Sequence, residues 1–105
     1  MKFLFKASYN TEGLQGVKSQ GASSRISAAE DLCKSLGGSL EAFYFAFGDT
    51  DVVAIFDVPD NVKAAGIALL VAASGKVHLK TTVLMTPEEI DAAIKVGVDY
   101  RPPGG

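Results

Sequence analysis

Two apolar segments, Ser39 to Phe47 and Val52 to Val58, are separated only by the four-residue turn Gly48-Asp49-Thr50-Asp51. The first is dense in aromatic residues and the second in β-branched ones, side chains that suit a pleated surface better than a helix. A turn this short joins antiparallel neighbours, so the two segments form a hairpin. Simple alternation makes both strands apolar on either face: Leu40, Ala42 and Tyr44 oppose Phe43, Phe45 and Phe47, while Val52, Ala54 and Phe56 oppose Val53 and Ile55. A polar solvent face is missing, so each side of the hairpin needs a cover.

The flanking sequence supplies helices for one side. Lys2 to Tyr9 places Phe3, Phe5, Ala7 and Tyr9 on one face and Lys2, Leu4, Lys6 and Ser8 on the other, a first strand. Asn10-Thr11-Glu12-Gly13 is a turn and a helix start, with Asn10 or Thr11 capping the free amides. The helical region that follows carries Leu14 and Val17 and bends at Gly21, since glycine weakens a helix interior by roughly 1 kcal/mol relative to alanine. It continues with Ala22, Ile26, Ala29, Cys33 and Leu36 at three- and four-residue spacing and ends at Gly37-Gly38.

After the hairpin, Pro59-Asp60-Asn61 stops the strand and caps a helix over Val62 to Ser74. That helix is apolar almost all round, which predicts burial on more than one side. Lys76 to Met85 alternates Val77, Leu79, Thr81, Val83 and Met85 against Lys76, His78, Lys80, Thr82 and Leu84, a fourth strand. Thr86-Pro87-Glu88-Glu89 is a capping box with proline at the first helical position, opening a short helix that ends at Gly97. Val98 to Gly105 has no periodicity and is expected to be extended.

The order β-α-β-β-α-β predicts an α+β fold, a ferredoxin-like split βαβ sandwich. Its four-stranded antiparallel sheet carries two long helices on one face, plus a short C-terminal helix. A chain of 105 residues has room for one such domain, residues 1–97, with the tail at 98–105. The second sheet face is then open. A homodimer or higher even oligomer formed through that face, or a small-molecule cavity against the sheet, accounts for its apolar side chains.

Charge and composition narrow the partners. Ten basic against twelve acidic residues give a net charge of -2, without the basic stripe of a nucleic-acid binder. The longest apolar run, Ala64 to Ala73, has ten residues where a membrane span needs about twenty. Cys33 is the single cysteine, which excludes an intramolecular disulfide and a thiolate metal cluster built by this chain alone. The start, Met1-Lys2-Phe3-Leu4-Phe5-Lys6, reads as a strand and not a secretory signal, and the expected location is the cytoplasm.

Several short stretches resemble those of the GYD-domain family. They are Tyr9-Asn10-Thr11-Glu12-Gly13, Leu36-Gly37-Gly38, Ala42-Phe43-Tyr44-Phe45, Gly48-Asp49-Thr50-Asp51, Pro59-Asp60, and Ser74-Gly75 ahead of Thr81-Thr82. In the turn that names the family, Gly48 and Asp51 match, and Thr50 stands where the family has tyrosine. The resemblance implies a ferredoxin-like, dimer-forming domain and no particular activity.

Chemistry-bearing residues are few. His78 is the only histidine, the side-chain type suited to acid-base work near neutral pH, so it is the candidate acid or base; the plain alternative is a solvated surface residue between Lys76 and Lys80. Tyr44, with Tyr9 as a neighbour across the sheet, is the candidate orienting phenol, and core aromatic is its plain alternative. Tyr9, Lys6, Arg25 and Asp51 are the candidate ligand-binding residues, the two cations for anionic groups. Asp49 and Asp51 equally suit a turn, and a hard cation would need more oxygens than these two supply. Cys33 reads as a small buried hydrophobe. Gly13, Gly16 and Gly21 do not match a dinucleotide or phosphate loop, so no cofactor is expected. Two functions follow. One is a binding or interaction module, with or without an enclosed small ligand. The other is a cofactor-independent enzyme, oxygenase- or isomerase-like, with His78 and Tyr44 in a pocket between sheet and helices.

Overall fold

Eight elements follow one another: β1 (Lys2–Tyr9), α1 (Thr11–Gln20), α2 (Ala22–Ser35), β2 (Ser39–Phe45), β3 (Val52–Asp57), α3 (Asn61–Ala73), β4 (Val77–Leu84) and α4 (Pro87–Ile94). The computed structural model describes all 105 residues. Its strands form one antiparallel sheet in the order β2-β3-β1-β4. This is the order of a ferredoxin-like sandwich, with β1 and β3 at the centre and α1, α2 and α3 as a layer on one face.

Helix boundaries follow the capping chemistry. The Asn10 side chain accepts from the Gly13 amide, and Asp60 accepts from the Lys63 amide, both at 2.9 Å. Thr86 and Glu89 exchange side-chain to backbone hydrogen bonds, the complete capping box, with Pro87 in the first turn. Each cap satisfies amides that a helix start leaves free and contributes about 1 kcal/mol. The expected bend at Gly21 is a full break: its φ of 87° lies in the left-handed region that favours glycine, and α1 ends where α2 begins.

Register corrects one expectation about the hairpin. Leu40 pairs with Phe56 and Ala42 pairs with Ile55, so Glu41 is an extra residue, a β-bulge. The bulge resets the alternation. Leu40 therefore joins Phe43 and Phe45 on the face of Val52, Ala54 and Phe56, beneath the helices, instead of Ala42 and Tyr44. β2 also ends at Phe45, and Phe47 lies beyond it, fully exposed.

The core is small: ten residues are buried, seven of them on or just after β1 and β3, with Cys33 from α2 and Ala64 and Ile67 from α3. Phe5 and Phe56 anchor it, their rings tilted at a centroid distance of 4.7 Å. The expectation that α3 is buried on more than one side is not met. Only Ala64 and Ile67 are buried, while Val62, Leu69 and Leu70 are exposed, because this chain has no further layer to lay over them. Every residue from Pro87 to Gly105 is exposed as well. This C-terminal arm contributes to a radius of gyration of 17.0 Å, against roughly 13 Å for a compact chain of this length.

The sheet face away from the helices carries Leu4, Ala42, Val53 and Ile55 around its centre, all partly exposed. Two charged pairs border this apolar patch: the N-terminal ammonium with Asp57, and Lys2 with the bulged Glu41.

Candidate functional site

A cavity of about 250 Å³ lies between the sheet and the helix layer. Its floor includes Phe5, Ala54 and Phe56 on the central strands, and its roof includes Ala28, Ala29 and Leu32 of α2 and Ile67 and Val71 of α3. The volume has a local cause. Ala7 and Ala54 on the sheet and Ala28 and Ala29 on α2 all line it, and side chains this short leave space that larger ones would occupy. Fourteen of the fifteen lining residues are hydrophobic, so the cavity has little to offer water.

Arg25 is the exception. It comes from the first turn of α2, and it lines both this cavity and an adjoining polar groove formed with Tyr9, Glu12, Gln20 and Lys76. Arg25 therefore sits where the apolar space meets the polar one. Its Nε is sealed from solvent and has no hydrogen-bond partner, and no carboxylate lies within ion-pair distance of its guanidinium.

Tyr9 is the second residue shared by cavity and groove, and its position is tightly determined. Its amide donates to Asp51 Oδ2 at 2.8 Å, and the Asp51 amide donates to the Ala7 carbonyl at 2.8 Å. On the helix side, a Cβ at Gly13 would come within 2.6 Å of the Lys76 carbonyl oxygen and 3.0 Å of the Tyr9 ring. Only glycine permits so close an approach of α1 to the ends of β1 and β4.

The structure divides the remaining candidates. Tyr9 and Arg25 come together at the cavity. Asp51 is engaged by the Tyr9 amide and acts in the turn, where Asp49 also contributes its carbonyl, accepting from the Ser8 hydroxyl at 2.9 Å. Lys6 is exposed on the open sheet face, directly opposite Lys80. Tyr44 lies on that same open face, 70% exposed, and not beside Tyr9, which faces the helices from β1. His78 is exposed on β4, opposite Ser8. β2 and β4 are the two outer strands, so Tyr44 and His78 are separated by three strand spacings, roughly 14 Å. Neither lines the cavity, and they share no site.

Cys33 is fully buried in α2, and burial pushes its thiol pKa up, which leaves it a packing residue. No group of three His, Cys, Asp or Glu side chains converges anywhere in the fold, and no helix is long and apolar enough to cross a membrane. A pocket between sheet and helices is anticipated from the sequence only as a seat for His78 and Tyr44, and the residues that line this cavity escape sequence reading. Alanines at inward positions of three different elements are its signal, and they count as such only once the elements are known to face one another.

The GYD-domain family model matches residues 3–94, from β1 to the end of α4. No curated protein and no solved structure matches the chain.

Proposed function

The chain belongs to the GYD-domain family, and we propose that it is a small homo-oligomeric binding module that holds an apolar ligand between its sheet and its helices. The observation that carries this reading is the cavity. An apolar recess partly open to solvent costs the fold dispersion contacts that a filled core would have, and an apolar guest restores them. At about 250 Å³ it lies just below the usual range of ligand sites, roughly 300–1,000 Å³, and suits a small molecule.

The uncovered apolar sheet face supports the assembly half of this reading. Leu4, Ala42, Val53 and Ile55 form an apolar patch that nothing in the chain covers. A second copy laid on it buries that patch against its equivalent, with the flanking charges left at the rim. The solitary, unpaired Cys33 fits the reducing conditions of the cytoplasm, where we place the protein. The enzymatic alternative has no observation of comparable weight, since His78 and Tyr44 lie apart and outside the cavity.

Native mass spectrometry of the purified protein, compared with the same sample denatured, tests both halves. The expected result is an even oligomer that releases a small molecule on denaturation. An empty oligomer that also takes up no apolar probe would overturn the ligand half. A strict monomer at micromolar concentration would overturn assembly.

A further inference from the structure

We infer that the cavity takes a monoanion: a small apolar molecule ending in a carboxylate, whose head group is held by Arg25. The inference rests on the cavity being a ligand site and adds the chemistry of the ligand.

Buried polar groups in native proteins are almost always hydrogen-bonded, and an unpaired donor on a charged group is among the most costly exceptions. Arg25 Nε is such an exception, and it belongs to the only charged residue that lines the cavity. Nothing in the chain relieves it. The two ion pairs of the fold, Met1 with Asp57 and Lys2 with Glu41, involve other residues, and Glu12, which shares the groove, does not reach the guanidinium. A carboxylate supplies what is missing, because its two oxygens match the planar fork of a guanidinium.

Surrounding charge selects the anion. Arg25 and Lys76 are the cations lining the groove and Glu12 is its one acid, which leaves a single net positive charge. That balance suits a monoanionic carboxylate and disfavours a phosphate carrying nearly two charges. Location selects the rest of the molecule. Arg25 lies at the boundary of the two spaces, so a carboxylate on its guanidinium directs the remainder of the ligand into a wall of hydrophobic side chains. A hydrophilic carboxylate would leave that volume empty, and a neutral apolar molecule would leave Nε unpaired.

The test is isothermal titration of the intact protein with octanoate, 1-octanol and octyl phosphate, repeated on Arg25→Gln, Arg25→Lys and Glu12→Gln. Octanoate is expected to bind the native protein at least about tenfold more tightly than the alcohol, the effect of one charge-assisted hydrogen bond. It should also bind more tightly than the phosphate. Arg25→Gln should abolish the preference for octanoate while keeping the alcohol's affinity, which shows at once that the variant is folded and the cavity intact. Arg25→Lys should retain part of the preference, and Glu12→Gln should enlarge it. Equal binding of octanoate and octanol to the native protein would overturn the anion assignment while leaving the cavity as a ligand site. A stronger response to octyl phosphate would replace the carboxylate by a phosphate. Failure of all three probes to bind would overturn the ligand site itself.

Discussion

The Asp51 carboxylate accepts a hydrogen bond from the backbone amide of Tyr9 at 2.8 Å, across 42 positions of the chain. Asp51 also donates its own amide to the Ala7 carbonyl, so one residue of the β2-β3 turn grips the end of β1 twice. This grip sets where β1 stops, and with it where Tyr9 meets the cavity. Within the turn, the aspartate therefore has a clear structural task.

Replacing Asp51 by alanine removes the acceptor and leaves a part-buried amide unpaired. Urea denaturation should show a loss of about 2 kcal/mol, the range for a hydrogen bond to a charged group, and Asp51→Asn should recover part of it because an amide oxygen still accepts. A loss below about 0.5 kcal/mol would show that the grip contributes nothing to stability.

Ala29 faces the cavity from α2, and Ala29→Leu should fill much of it. Enlarging a side chain in a packed core normally costs about 1–3 kcal/mol. Here the added atoms enter free volume, so the thermal midpoint should hold or rise while uptake of apolar probes is lost. A large drop in midpoint would mean that the space is already closed in solution.

Ile55 points to the open sheet face, and Phe45 points to the helices. Ile55→Asp should therefore dissociate the oligomer in sedimentation equilibrium and leave the far-ultraviolet circular dichroism unchanged. Phe45→Asp should lower stability instead, since it sets a charge beside Phe43 at the edge of the helix-covered layer. An Ile55→Asp protein that keeps the native subunit number would place the interface elsewhere.

Burial holds the Cys33 thiol above its ordinary pKa of 9.0. Above about pH 9 the unfolded thiol releases its proton while the folded one keeps it, so the unfolded state binds fewer protons and stability falls as pH rises. The slope is at most about 1.4 kcal/mol per pH unit. Cys33→Ala should remove this component of the alkaline destabilisation, measured by urea unfolding between pH 8 and 10. An unchanged slope would contradict it.

Side-chain periodicity and capping chemistry are local, and what depends on them is legible in the residues. The alternation of Phe3, Phe5 and Ala7 defines β1, the box at Thr86 and Glu89 starts α4, and the order of elements gives the sandwich. The bulge at Glu41 is a different matter. Nothing between Ser39 and Phe45 marks it, because it is settled by where Leu40 and Ala42 can pair on β3. The apolar sequence of α3 reads as deep burial, yet burial depends on how many layers surround a helix, and here there is one. The site shows the same division most clearly. Arg25 and Tyr9 could each be named from their chemistry, but a cavity is the volume left after distant segments have packed, and an unpaired guanidinium is defined by every acid that fails to reach it. Those are sums over the folded chain, and only tertiary structure evaluates them.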